Sequence, residues 1–119
     1  MFPFMLEINH QDKDFLSQLT SVVEENLADE NFGVSELAEA INMSRSNLLR
    51  KLKKSTGLSV SLFIRQVRLK RAVVLLQSSS KNVSEVSFAV GFSSTSYFIK
   101  CFREEYGFPP GEASKRKIE

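Results

Sequence analysis

The amino-acid sequence predicts an all-α fold of about seven helices, in which two helix-turn-helix subdomains are joined by a long linker helix. Apolar residues recur at helical spacing, and the five Gly and three Pro of the 119-residue chain mostly fall between these periodic segments. Hydrophobic residues make up 42% of the chain and include ten Phe, which suffices for a packed core without a disulfide or a metal. A helical unit in the first half also recurs in the second half, so we expect two similar subdomains.

Cysteine and histidine are too scarce for a disulfide or a usual zinc site, because Cys101 and His10 are the only residues of their kinds. We therefore expect no metal or cofactor, and a single thiol is compatible with a cytoplasmic protein. The chain begins with an apolar stretch that Pro3 interrupts and Glu7 ends, so it is too short for a signal peptide or a membrane span. Residues 1–12 are predicted to be an expression remnant or the end of an upstream linker.

Charge is distributed unevenly, although the formal net charge is only +2. Residues 1–43 contain nine acidic residues and one basic residue, whereas residues 44–84 contain ten basic residues and no acidic one. Residues 85–119 contain five of each. The basic middle third should create a local positive field of the kind that phosphate binding requires. The alternative is a solvated basic face without a partner.

The first subdomain is predicted to cover residues 13–58 and to contain three helices. Residues 14–28 form a scaffold helix with an acidic outer face. A short helix over residues 34–41 is followed by a tight turn and by a longer helix over residues 44–55. The longer helix has one apolar face and one basic face, as expected for the second helix of a helix-turn-helix.

A long helix over residues 59–77 is predicted to join the two subdomains. Apolar residues cover one side of it, and its basic side carries Arg65, Arg68, Lys70 and Arg71. At about 1.5 Å per residue it would extend roughly 26 Å, enough to hold the subdomains apart. The alternative is an ordinary core helix with a solvated basic face, and the two roles are compatible.

The second subdomain is predicted to cover residues 78–114. Asn82 and Glu85 have the spacing of a capping box at the start of a short helix. A glycine turn follows, and then Ser93 or Ser94 caps a second helix. The order of elements is therefore the same as in the first subdomain.

Two segments of the chain align as an internal repeat. Residues 34–36, Val-Ser-Glu, recur 49 residues later at 83–85, and beyond the turn the spacing becomes 50 residues. The pairs at the larger spacing are Ser46 with Ser96, Leu48 with Phe98, Leu52 with Phe102, and Gly57 with Gly107. The second copy therefore carries one extra residue at its turn, and the pattern indicates a duplicated unit.

Several short motifs are distributed along the repeat and the helix between its copies. In the second copy they are Gly91-Phe92, Ser96-Tyr97-Phe98, Phe102 and Gly107. Earlier in the chain they are Leu37-Ala38, Met43-Ser44-Arg45-Ser46, Leu52, Gly57, Phe63, Arg68-Leu69, Ala72 and Leu75-Leu76. Together they resemble the DNA-binding domain of the AraC/XylS family of bacterial transcription regulators, over residues 15–110. The acidic segment 12–15 further resembles the residues that precede this domain in hybrid two-component sensor-regulators.

The chain departs from the family pattern near its end. Pro110 begins a final short helix, but Ala113 and Ser114 stand where family members usually have an aromatic-basic pair. This helix is therefore expected to dock poorly or to be truncated, and the charged tail 115–119 is expected to fray. In the first unit, Leu49 stands where many members have a polar base reader, and it could instead contact a thymine methyl group.

The resemblance implies that each subdomain places one helix in the DNA major groove. The expected base-contacting residues are Ser46, Leu49 and Arg50 in the first unit, and Ser96, Tyr97 and Lys100 in the second. The expected phosphate-contacting residues are Ser44, Arg45, Lys51, Lys53, Lys54, Ser94 and Arg103. Two alternatives stay open, because a groove-facing Arg or Lys often contacts phosphate instead, and Tyr97 could be an aromatic at the edge of the core.

The sequence thus predicts a sequence-specific DNA-binding transcription regulator whose partner is double-stranded DNA. RNA polymerase, or a fused or separate signalling domain, is a further possible partner, whereas no membrane association and no dimerisation heptad is evident. The alternative function is a helical protein-interaction module that docks an acidic partner such as a receiver domain. An enzyme is disfavoured, because the chain has one His, no recognisable nucleophile–base pair and no phosphate-cradling glycine loop.

Overall fold

The computed structural model describes residues 10–116, and within that range the secondary structure is all helical. The described elements are α1 His10–Glu25, α2 Val34–Ala40, α3 Arg45–Thr56, α4 Val60–Ser78, α5 Val83–Ala89, α6 Thr95–Tyr106, and a short 3-10 helix Pro110–Lys115. The all-α prediction is therefore confirmed. Most of the predicted upstream linker lies outside the described residues, but residues 10–12 already form the first turn of α1.

The described chain forms two compact units. The first contains residues 10–26 and 32–67, and the second contains Leu27–Asn31 and residues 68–116. Helix α4 contributes to the cores of both, since Phe63 belongs to the first core and Ala72 to the second. The sequence predicts α4 as a linker between separate subdomains, and in the structure it also supplies core residues to each unit.

The core of the first unit is aliphatic apart from its Phe residues. Leu48 and Leu52 of α3 are fully buried, as their i, i+4 spacing predicts. They belong to the same cluster as side chains from the other helices of the unit: Leu16, Leu19 and Val23 of α1, Leu37 and Ala38 of α2, and Val60, Phe63, Ile64 and Val67 of α4. Burial of this apolar stripe orients α3, so its opposite face is left to solvent.

The core of the second unit is richer in aromatic rings. Phe98 and Phe102 occupy the places that Leu48 and Leu52 hold in the first unit, and their ring centroids lie 5.8 Å apart at an angle of 61°. Such edge-on contacts between rings are favourable beyond the burial of apolar area. Cys101 is buried in the same cluster, where it serves as a small apolar side chain.

The longer helices of the two units, α3 and α6, begin and end with the same kinds of cap. Ser44 and Ser94 are the N-caps, and each hydroxyl accepts a hydrogen bond from the backbone N–H three residues further on, at 3.1 and 3.2 Å. Gly57 and Gly107 are the C-caps, and both adopt left-handed backbone conformations with φ of 78° and 83°. The duplication inferred from residue types therefore extends to backbone geometry, and the ambiguity at the second N-cap is resolved in favour of Ser94.

The 3-10 helix at the end of the described chain is docked, contrary to the expectation from its sequence. Ala113 is fully buried, and the side-chain amide of Gln77 donates to its carbonyl oxygen at 3.0 Å. The Arg116 guanidinium lies 4.3 Å from the centroid of the Phe108 ring. The small side chain of Ala113 is thus accommodated in the core of the second unit, in the same cluster as Phe98 and Phe102. In the tail that is expected to fray, Lys115 ends the 3-10 helix and Arg116 is its C-cap, while residues 117–119 lie outside the described part.

The phenol of Tyr106 should ionise at unusually high pH. Burial, followed by the nearby Glu105 carboxylate, raises the pKa of Tyr106 to about 12. Because this exceeds the usual value of about 10, the group favours folding below about pH 10, and that stability is lost as pH rises from about 10 to 12. In the variant Tyr97→Phe, near-ultraviolet absorbance should therefore give one tyrosinate titration with a midpoint near 12. A midpoint near 10 in the folded variant would contradict the assigned burial effect.

Candidate nucleic-acid interface

Every predicted contact residue within α3 has an exposed side chain. Ser46, Arg50, Lys53 and Lys54 are exposed, and the side chain of Leu49 is 50% exposed. With 3.6 residues per turn, Arg50 lies about 180° around the helix from the midpoint of the buried Leu48 and Leu52. The guanidinium is therefore the group on α3 that projects farthest from the core, which suits contact with a base edge.

Asn47 orients Arg50. Its side-chain oxygen accepts a hydrogen bond from Nη2 of Arg50, one helical turn away. This bond uses one N–H of the guanidinium and leaves the other donors available. Asn47 is not among the contact residues predicted from the sequence, although its i, i+3 spacing from Arg50 on an exposed face is a usable signal.

The expected phosphate contacts of α3 include two lysines that share one shallow depression. Lys51 and Lys54 line it together with Met43, Asn47 and Arg50. The ammonium of Lys51 lies 4.3 Å from the centroid of the Phe15 ring, which is a cation–π distance and restricts its position. Three cationic side chains therefore converge on one concave surface of the first unit.

Helix α6 presents its predicted contact residues in the same way. Ser96, Lys100 and Arg103 are exposed, while Phe98 and Phe102 face the core. The side chain of Tyr97 is 50% exposed, and its ring centroid lies 6.0 Å from that of Phe92. The two alternatives for Tyr97 are therefore compatible, since the ring packs at the edge of the core and still offers a surface.

The two longer helices differ in charge. Helix α3 contains no acidic residue and five basic ones: Arg45, Arg50, Lys51, Lys53 and Lys54. Helix α6 contains two basic residues, Lys100 and Arg103, and two acidic ones, Glu104 and Glu105. The strong positive field expected from the sequence is thus concentrated on the first of the two exposed faces.

Arg68 holds the turn that precedes α6. Its Nη1 donates to the carbonyl oxygen of Gly91 at 2.8 Å, and its Nη2 donates to the carbonyl oxygen of Asp29 at 2.9 Å. The sequence predicts Arg68 as part of the solvated basic side of α4, and this is wrong, because the side chain is buried. Burial lowers the pKa of Arg68, while the acidic Asp29 and Glu30 act in the opposite direction. A signal is present in the sequence, since both neighbours of this position, Val67 and Leu69, are apolar.

The described residues contain neither a metal-binding cluster nor a membrane-spanning helix. In residues 10–116, His, Cys, Asp and Glu form no group of three or more that could hold a metal ion. None of the helices described there combines the length and the apolar character needed to cross a membrane.

A short helix, a tight turn and a capped longer helix with an exposed polar face, present twice, define a helix-turn-helix protein. The family model described as "Helix-turn-helix domain" matches residues 37–116. The crystal structure of an AraC-type transcriptional regulator from Chromobacterium violaceum has a TM-score of 0.80 and 30% identity to this chain, over 90% of this chain and 95% of that one. The chain therefore belongs to the AraC-type helix-turn-helix family.

Two further comparisons define what this chain is similar to. The DNA-binding domain of AdpA, solved in complex with a target DNA, has a TM-score of 0.74 and 28% identity over 84% of this chain and 89% of that one. Histidine kinase P4 of Formosa agariphila is 35% identical over 98% of this chain, but the match covers only 8% of that relative. The chain spans 8% to 39% of the length of the first curated relatives that it matches.

Proposed function

We propose that this chain is the sequence-specific DNA-binding part of a transcription regulator, with α3 and α6 as its recognition helices. The observation that carries the proposal is the charge of α3, which has five exposed cations and no acidic residue. Among residues 10–116, none of these five cations forms a salt bridge, so no carboxylate neutralises their charge. The likeness to the AdpA domain that was solved with DNA supports the same conclusion.

Base contacts are assigned to the residues that project from the middle and the N-terminal half of each recognition helix. These are Ser46, Leu49 and Arg50 in α3, and Ser96, Tyr97 and Lys100 in α6. Arg50 suits guanine, because a guanidinium can donate to O6 and N7 together, and Leu49 suits a thymine methyl group. Phosphate contacts are assigned to Ser44, Arg45, Lys51, Lys53, Lys54, Ser94 and Arg103.

The two recognition helices would read successive major-groove faces on one side of the duplex, about 34 Å apart. We propose that residues 13–58 form the first DNA-binding subdomain, residues 59–77 the linker helix and residues 78–114 the second DNA-binding subdomain. Similarity to a histidine kinase along 8% of that protein suggests that the chain works in the cytoplasm with a signalling domain, either fused or separate. We assign no catalytic activity to this chain.

Selection of bound duplexes from a pool of random DNA tests the proposal directly. We expect recovery of a preferred sequence and, by fluorescence anisotropy, an affinity that falls steeply as salt concentration rises. Absence of binding to every duplex, or binding that does not depend on salt, would contradict it. Capture of an acidic receiver domain without DNA binding would instead favour the protein-interaction alternative.

Arg50→Ala should weaken binding to the selected duplex by about 1–3 kcal/mol and relax the base preference at one position. The physical reason is the loss of a bidentate contact from the side chain that projects farthest from the core of the first unit. Anisotropy on the selected duplex and on single-base variants of it measures both effects. Lys13→Ala is the matched control, because it removes one exposed positive charge from α1. If the two variants bind equally well, Arg50 is not a base-contacting residue.

A further inference from the structure

We infer that the two recognition helices make unequal contributions to phosphate attraction: α3 anchors the chain on DNA, whereas Glu104 of α6 opposes phosphate at the position where Lys54 of α3 attracts it. The inference rests on the proposed function. It adds that α3 supplies affinity that is independent of DNA sequence, whereas the affinity that α6 supplies depends on contacts to bases.

Lys54 and Glu104 occupy equivalent positions. Each is the tenth residue of its helix, and each lies two residues beyond the second member of the buried core pair, Leu52 in α3 and Phe102 in α6. Both side chains are exposed. The same helical angle relative to the core therefore directs a cation outward in one unit and an anion outward in the other.

At three other equivalent positions, α3 is likewise the more positive helix, by one charge each. Lys51 of α3 is exposed above the Phe15 ring, whereas Cys101, its counterpart, is buried. Arg45 corresponds to the uncharged Thr95. Ser55 is uncharged, whereas its counterpart Glu105 is an exposed acid. The formal charge is +5 on α3 and zero on α6, as the residues within the helix bounds show.

This charge difference predicts different salt responses for the two helices. Each cation that neutralises a phosphate releases condensed counterions and adds about 0.9 to the magnitude of the slope of log K against log salt. Most of that slope should therefore originate from α3. The carboxylate of Glu104 would repel the phosphates of the DNA backbone, so α6 gains affinity mainly from contacts to the preferred bases. Its contribution to affinity should therefore fall sharply on DNA of other sequences.

Reciprocal charge substitutions test the inference on the full chain. The variants are Glu104→Lys and Lys54→Glu, and the control is Glu24→Lys, which changes net charge as Glu104→Lys does but at an exposed position on α1. Affinity is measured by anisotropy across a salt series on two labelled duplexes, one recovered by selection and one of mixed sequence. Circular dichroism checks folding, and Lys53→Glu repeats the second test at a neighbouring exposed position.

Glu104→Lys should increase the magnitude of the salt slope by about 1, and Lys54→Glu should decrease it by a similar amount. Between about 50 and 200 mM salt, one contact changes affinity roughly three- to fourfold. Glu104→Lys should also tighten binding to the mixed-sequence duplex, and thereby reduce discrimination. The inference is overturned if Glu104→Lys behaves as Glu24→Lys does, or if Lys54→Glu leaves the slope unchanged. In either case wild-type binding with a steep slope would leave the proposed function intact.

Discussion

Gly91→Ala should destabilise the second unit by roughly 3–5 kcal/mol. Gly91 has a φ of +94°, in the left-handed region that alanine rarely adopts. A Cβ at this position would also lie 2.3 Å from the carbonyl oxygen of Leu27 and 2.9 Å from the guanidinium carbon of Arg68. The closer atom belongs to the backbone, so relief requires a shift of the segment 27–31 or of the turn itself.

Two other glycines separate the effect of the close contact from the effect of backbone conformation. Gly57 and Gly107 have φ of +78° and +83°, and a Cβ at either would meet nothing within 4 Å. Alanine at these positions should therefore cost only the left-handed penalty, about 1–2 kcal/mol. Urea unfolding followed by circular dichroism gives the three free energies, and amide hydrogen exchange locates the loss in the second unit. Equal losses at all three positions would show that the contact with Leu27 does not matter.

The features that the sequence predicts well are those determined within about one helical turn. Asn82 and Glu85 show this, since each side chain accepts a hydrogen bond from the other's backbone N–H, at 2.8 and 2.9 Å. Gly57 and Gly107 end their helices because glycine tolerates the left-handed conformation. The exposed faces of the recognition helices follow from helical periodicity, because the buried pairs fix which side remains for solvent.

The features that the sequence predicts poorly depend on partners far along the chain. The bonds of Arg68 reach residues 23 and 39 positions away, and periodicity contains no information about either partner. The docking of Ala113 depends likewise on Gln77, 36 positions away. The residue types alone predict that the side chain of Arg68 is exposed to solvent and that the helix containing Ala113 packs loosely. Tertiary contacts reversed both expectations.

Arg68→Ala is the second substitution for which we expect a large loss of stability, roughly 3–4 kcal/mol. The guanidinium donates to two carbonyl groups from separate segments, at Gly91 and Asp29, and the bond to Gly91 is buried. Hydrogen bonds from a charged donor contribute about 1.5–3 kcal/mol each, and truncation also leaves a cavity and carbonyl groups deprived of their partner. Arg68→Lys should recover part of the loss, because one ammonium retains the charge but cannot reproduce the planar fork.

The same substitution connects stability to recognition, because Arg68 holds the turn that starts α6. Arg71→Ala is the matched control, since it removes an exposed arginine from the same helix and should change stability by no more than about 0.5 kcal/mol. Chemical denaturation compares the variants, and the double variant with Gly91→Ala should lose less than the two single losses together, because both changes disturb one contact. A loss for Arg68→Ala no larger than for Arg71→Ala would contradict the assigned role. Additive losses would instead show that the two residues act independently.

If the turn positions α6, Arg68→Lys should relax base preference at positions read by the second unit and preserve the salt slope, because the charge of the chain is unchanged.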